Sequence, residues 1–138
     1  MKKRTEEAPV NAYMIAGLKI GPEQIDERGH VNNIVYLNWI QQAAENHWKK
    51  LAGEQADQFA WVVRRHEIDY RTPIFPGADI AAVTWVGDTD ALSSIRMVRI
   101  QTREGLLYAE AKTTWCLIDP QSGRFRRIPD SVQQLLGK

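Results

Sequence analysis

A chain of 138 residues, 43% apolar and 25% charged, can bury about two thirds of its unfolded surface around one core. Disordered, collagen-like and disulfide-scaffold classes are therefore excluded. With 18 Lys and Arg against 17 Asp and Glu, the formal charge is +1, and no global field draws the chain to nucleic acid or a membrane.

Cys116 is the single cysteine, so no internal disulfide forms and no thiolate cluster can hold zinc. A reducing, cytoplasmic setting is the simpler expectation. The basic start Met1-Lys2-Lys3-Arg4 leads into Thr5-Glu6-Glu7 rather than an apolar stretch, and no segment approaches the roughly 20 apolar residues of a bilayer span. Residues 1–12 read as a charged tail and 13–138 as one domain.

A first strand is predicted from about Tyr13 to Lys19, and Glu23 to Asn32 is a loop by its charged, amide and glycine content. Tyr36, Leu37, Ile40, Ala44, Trp48 and Leu51 then recur at helical spacing, with Asn32 or Asn33 as cap and Gly53 as stop. Phe59 to Arg71 reads as a strand, Pro73 and Pro76-Gly77 interrupt it, and Ile80 to Val86 makes another. Leu92 to Thr102 is a further strand whose apolar phase slips between Met97 and Val98, implying a bulge or burial on both faces. Leu107, Ala109, Ala111, Trp115 and Leu117 form one apolar face broken only by Thr113. Pro129 to Leu136 reads as a short terminal helix.

Turns this short join antiparallel strands, so an α+β fold follows, with one long helix covering an antiparallel five-stranded sheet. A sheet with an exposed edge predicts a homodimer or a dimer of dimers.

The segment Asp26-Glu27-Arg28-Gly29-His30-Val31-Asn32-Asn33, with Tyr36, Leu37 and Trp39, resembles hot-dog-fold acyl-CoA thioesterases related to 4-hydroxybenzoyl-CoA thioesterase. Ile68-Asp69-Tyr70-Arg71-Thr72-Pro73 and Gly77-Ala78-Asp79-Ile80 resemble that family's second-strand region. The resemblance implies a sheet wrapped around its helix, subunits paired side by side, and active sites at their interface. It places Asp26 on the catalytic carboxylate and Asn33 where a backbone N–H receives the thioester carbonyl. The His30-Val31-Asn32-Asn33 portion also resembles plant acyl-carrier-protein thioesterases. Those carry asparagine two residues after the aspartate, where this chain has Arg28.

Such a site needs a nucleophile or base and a donor for the developing oxyanion. Asp26 supplies the first and the helix start near Asn33 the second. Gly29 offers backbone freedom, and His30 is a candidate helper or loop holder. Glu45 is a reserve carboxylate on the helix. His47 and His66 read as packing or dipole-related histidines.

Arg124, Arg126 and Arg127, with one outward member of the Arg64-Arg65 pair (Arg65 the candidate), are the groups suited to CoA phosphates. The expected activity is hydrolysis of a fatty or aromatic acyl-CoA to acid and CoA, with no redox or nucleotide cofactor and no metal. Hydrolysis of acyl carrier protein thioesters, hot-dog hydratase or dehydratase chemistry, and a non-catalytic acyl-thioester binding module are the competing readings.

Overall fold

The computed structural model describes residues 3–4 and 8–137. Part of the expected charged tail lies outside that description. Within it, Lys3–Arg4 form a two-residue strand, β1, against Leu106 and Leu107.

The long helix α1 spans Asn33–Ala52. Asn32 caps it in extended conformation, its side-chain oxygen accepting from the Ile34 N–H at 3.1 Å. Gly53 ends it at a positive φ of 56°, donating back to the Lys49 carbonyl. Val35, Tyr36, Trp39, Ile40, Ala43, Ala44, His47 and Trp48 form the buried stripe. Leu37 and Leu51, expected on that stripe, are half-buried flanks.

Four longer strands follow: β3 (Ala60–Tyr70), β4 (Ala81–Thr89), β5 (Ser94–Gln101) and β6 (Leu106–Ile118), after the short β2 (Tyr13–Ala16). Every pairing is antiparallel, and the five run β2-β4-β5-β6-β3 across the sheet. The two-residue β7 (Phe125–Arg126) extends it beside the end of β6, and helix α2 (Asp130–Leu136) closes the chain. The expected α+β sheet around one helix is therefore present, with β1 and β7 as small additions. Among the described residues, the outer side of β3 has no strand partner.

Two expectations about strand phase are corrected. In β5 the ladder runs unbroken through Met97 and Val98, with Ser94, Arg96, Val98 and Ile100 all buried. The apparent slip arises because an inward position holds Arg96 while the outward one holds Met97. Simple alternation does not assign the faces of Arg64 and Arg65 either; the register shifts between Val63 and Arg65, and both side chains are exposed rather than one alone.

The core has two parts. Ile40, Ile74, Ile80, Ile100 and Tyr108 pack around the first half of α1, and Trp48, Leu117, Ile128 and Val132 join its second half to α2. Leu117 is fully buried between them. Leu117→Ala is expected to cost about 2–5 kcal/mol, read as a lower denaturant midpoint at unchanged slope.

Candidate active site

The loop before α1 is a closed hairpin. Ile25 and Val31 form an antiparallel bridge across its base. The Asp26 N–H donates to the His30 carbonyl at 2.7 Å, and the Gly29 N–H to the Asp26 carbonyl at 3.0 Å. Gly29 sits at φ 80° with no heavy atom within 4 Å of a built Cβ, so backbone angle rather than space demands glycine. Two bonds strap the loop to the body: Val31 N–H to the Ile74 carbonyl and Asn32 N–H to the Gln24 carbonyl, both 2.8 Å.

Inside this frame the Asp26 carboxylate is held by one oxygen. Oδ1 accepts from the Arg28 N–H at 2.9 Å and the His30 N–H at 3.0 Å. Oδ2 has no hydrogen-bond partner among the described residues. The His30 N–H first, and the Arg28 N–H in support, hold the carboxyl below its ordinary range against some desolvation. Asp26 is therefore ionised at neutral pH.

At the helix start the Ile34 and Val35 N–H groups are satisfied by Asn32, while the Asn33 N–H meets no acceptor among the described residues. That is an open donor at the positive end of the helix. His30 contributes through its backbone, and its ring packs edge-on against Phe75 at 4.9 Å. Tyr36, given no role by the sequence, is buried against Tyr70 at 5.1 Å. Burial above all, then Tyr70 and Tyr108, push its hydroxyl to about 12, and the Asp26 charge adds to this. Around the site Ile34, Tyr70 and Phe75 are exposed despite their apolar bulk.

Glu45 lies elsewhere, about 18 Å further along α1 than Asn33 by the helical rise. It is exposed and borders a second feature, a small, partly open cavity of about 50 Å³ among Ala44, Trp48, Trp61, Ser94, Arg96, Trp115 and Leu136. Arg96 is 5% exposed, and its Nη1 lies 2.8 Å from His47 Nδ1 and 3.3 Å from Thr84 Oγ1. Burial lowers Arg96 to about 10. Burial, then Arg96 and Lys50, lower His47 to about 4. His47 is thus neutral and accepts from the guanidinium. On β3, His66 Nδ1 lies 2.9 Å from Thr113 Oγ1.

The arginines expected to meet CoA are solvent-facing. Arg65 lies 3.4 Å from Glu67, Arg127 3.2 Å from Asp130, and Arg126 over the Phe59 ring at 5.8 Å. Arg124, Arg126 and Arg127 follow the β6 end that pairs with Ala60, whereas Tyr70, beside the Asp26 loop, pairs at the other end. One chain does not bring those arginines to Asp26.

An antiparallel sheet curled around a single long helix, with a carboxylate loop before that helix, is the hot-dog fold. The profile of the thioesterase-like superfamily matches residues 20–136, and the chain belongs to that superfamily of thioester hydrolases. Solved structures agree in fold. A thioesterase from Thermus thermophilus, complexed with coenzyme A and Zn, is 19% identical, with TM-score 0.80, covering 91% of this chain and 97% of that one. A probable thioesterase from Escherichia coli is 21% identical (TM-score 0.76; 91% and 95%). A 1,4-dihydroxy-2-naphthoyl-CoA thioesterase from Synechocystis is 16% identical (TM-score 0.78; 93% and 97%). No curated protein matches the chain in sequence.

Proposed function

We propose that the chain hydrolyses an acyl-CoA thioester to a carboxylic acid and free CoA. One observation carries this reading: an ionised carboxylate with an unbonded Oδ2 on a strapped loop, a few residues before a helix whose first N–H is open. Asp26 attacks the thioester carbonyl or directs water onto it, and the Asn33 N–H stabilises the oxyanion. Direct attack gives a mixed anhydride and CoA thiolate, and water then cleaves the anhydride to the acid. The thioester supplies the driving force, so the proposed reaction needs no redox cofactor, nucleotide or metal.

The apolar rim of Ile34, Tyr70 and Phe75 suits an acyl group or a second subunit. We also propose that the unpaired edge of β3 joins a second copy. A two-fold antiparallel pairing there sets the Ala60 end of one strand beside the Tyr70 end of the other. The partner's C-terminal arginines would then approach this chain's Asp26 loop. Replacing Arg124, Arg126 and Arg127 by Gln is expected to raise KM for acyl-CoA several-fold while leaving a pantetheine thioester unaffected. Equal effects on both would remove the nucleotide contact.

The reading is tested by thiol release from a panel of saturated, unsaturated and aromatic acyl groups, each carried on CoA and on acyl carrier protein. Hydrolysis predicts free thiol with the CoA esters. Formation of hydroxyacyl thioesters without thiol, or tight binding without turnover, would overturn it.

A further inference from the structure

The cavity beneath the second half of α1 has a chemical imbalance that the Asp26 site does not explain. Arg96 projects from the inner face of β5 and borders it, almost completely buried. No carboxylate oxygen lies within 4 Å of its guanidinium among the described residues. Its partners, neutral His47 and the Thr84 hydroxyl, accept hydrogen bonds without cancelling charge. Two of the residues that line it carry further unmet donors, for the indole Nε1 atoms of Trp61 and Trp115 are buried with no partner. Buried donors without acceptors are costly, and their concentration in one place asks for an acceptor from outside the chain.

The rest of the wall defines what carries that acceptor. Trp48, Trp61 and Trp115 present large apolar rings, Trp48 and Trp61 edge-on at 5.5 Å. The enclosed space is small and opens to solvent at a mouth, so a compact group fits. Glu45, the only carboxylate on the wall, is exposed at the mouth, where solvent screens it. A small inorganic anion would leave the rings uncovered, and a neutral hydrocarbon would leave the guanidinium uncompensated.

We propose that this cavity binds a free carboxylic acid with a compact apolar body, its carboxylate on Arg96 and its body among the three tryptophans. A planar carboxylate matches the guanidinium fork and leaves lone pairs for an indole N–H. Acids of this class are what thioester hydrolysis releases, yet the proposal stands on the cavity alone. The site lies away from Asp26 within one chain, and occupancy requires no turnover.

The test is titration of the intact protein, and of the Asp26→Asn variant, with phenylacetate and hexanoate beside phenylacetamide and hexanamide. Calorimetry is the first readout and the proton resonances of the five tryptophan indole N–H groups the second. The expected result is saturable binding of at least one acid, equal in both proteins, with its amide at least about tenfold weaker. The resonances that Trp61→Phe and Trp115→Phe delete should be the ones that move. Arg96→Met should weaken the acid at least about tenfold and leave the amide unchanged. Arg96→Lys, which keeps the charge but loses the fork, gives the same comparison if the methionine variant does not fold. Absence of saturable binding, equal binding of acid and amide, or shifts confined to other tryptophans would each overturn the proposal. Because no thioester enters the assay, loss of this site and loss of the hydrolase reading are separate results.

Discussion

Asp26→Asn is expected to lower kcat/KM for an acyl-CoA by about 10²–10⁴ while the protein keeps its fold and oligomeric state. The substitution is selective for a structural reason. An asparagine oxygen can still accept from the Arg28 and His30 N–H groups, so the hairpin keeps its internal bonds. What is lost is the charge and the second carboxylate oxygen, the two properties the proposed chemistry uses. Unfolding curves matched to the parent, together with lost thiol release, would assign Asp26 to the reaction. A pure, non-deamidated variant with near-normal turnover would falsify that assignment and return Asp26 to the role of a turn former.

Acidification should destabilise the protein well above the range where Asp26 titrates. His47 has a folded pKa of about 4 against an ordinary 6.5, because it is buried and faces Arg96 and Lys50. A lowered histidine pKa means that the unfolded chain binds the proton first. The neutral ring's contribution is complete above pH 6.5, declines as pH falls, and is gone near pH 4. The size of the shift corresponds to about 3 kcal/mol. Denaturant curves at pH 7 and pH 4.5 should show most of this loss in the parent and much less in His47→Gln, whose amide oxygen can still accept from Arg96. An identical pH dependence in the two proteins would remove His47 as the cause. Activity lost in that window should follow unfolding rather than protonation of Asp26, whose carboxyl lies below its ordinary range.

The parts of the fold legible in the sequence are those where local chemistry and long-range packing agree. The 33–52 helix announces itself because its cap, its stripe and its glycine stop are all local signals. The Asp26 loop is legible for the same reason, since its Asp, Gly and Asn residues form bonds within a few positions of one another. The β5 pattern misleads because alternation assumes that inward positions are apolar, and Arg96 is not. That charged residue in an otherwise consistent strand is the available signal for the cavity. Taken as a phase slip, it suggests a bulge instead. The register shift in β3 leaves no trace in residue type, so strand alternation alone puts Arg64 and Arg65 on opposite faces. Tyr36 is unreadable in another way, for its tie to Asp26 is electrostatic and passes through space.

The asymmetric hold on the Asp26 carboxylate has a consequence for its motion. A free aspartate turns about two side-chain torsions, and a reaction that needs one orientation must first arrest both. Here two backbone donors clamp Oδ1, so the group is halted before any substrate arrives. Immobilising a flexible side chain on binding costs about 0.5–1.5 kcal/mol, a penalty already met when the loop folds. What stays mobile around the locked oxygen is the ligand rather than the carboxylate.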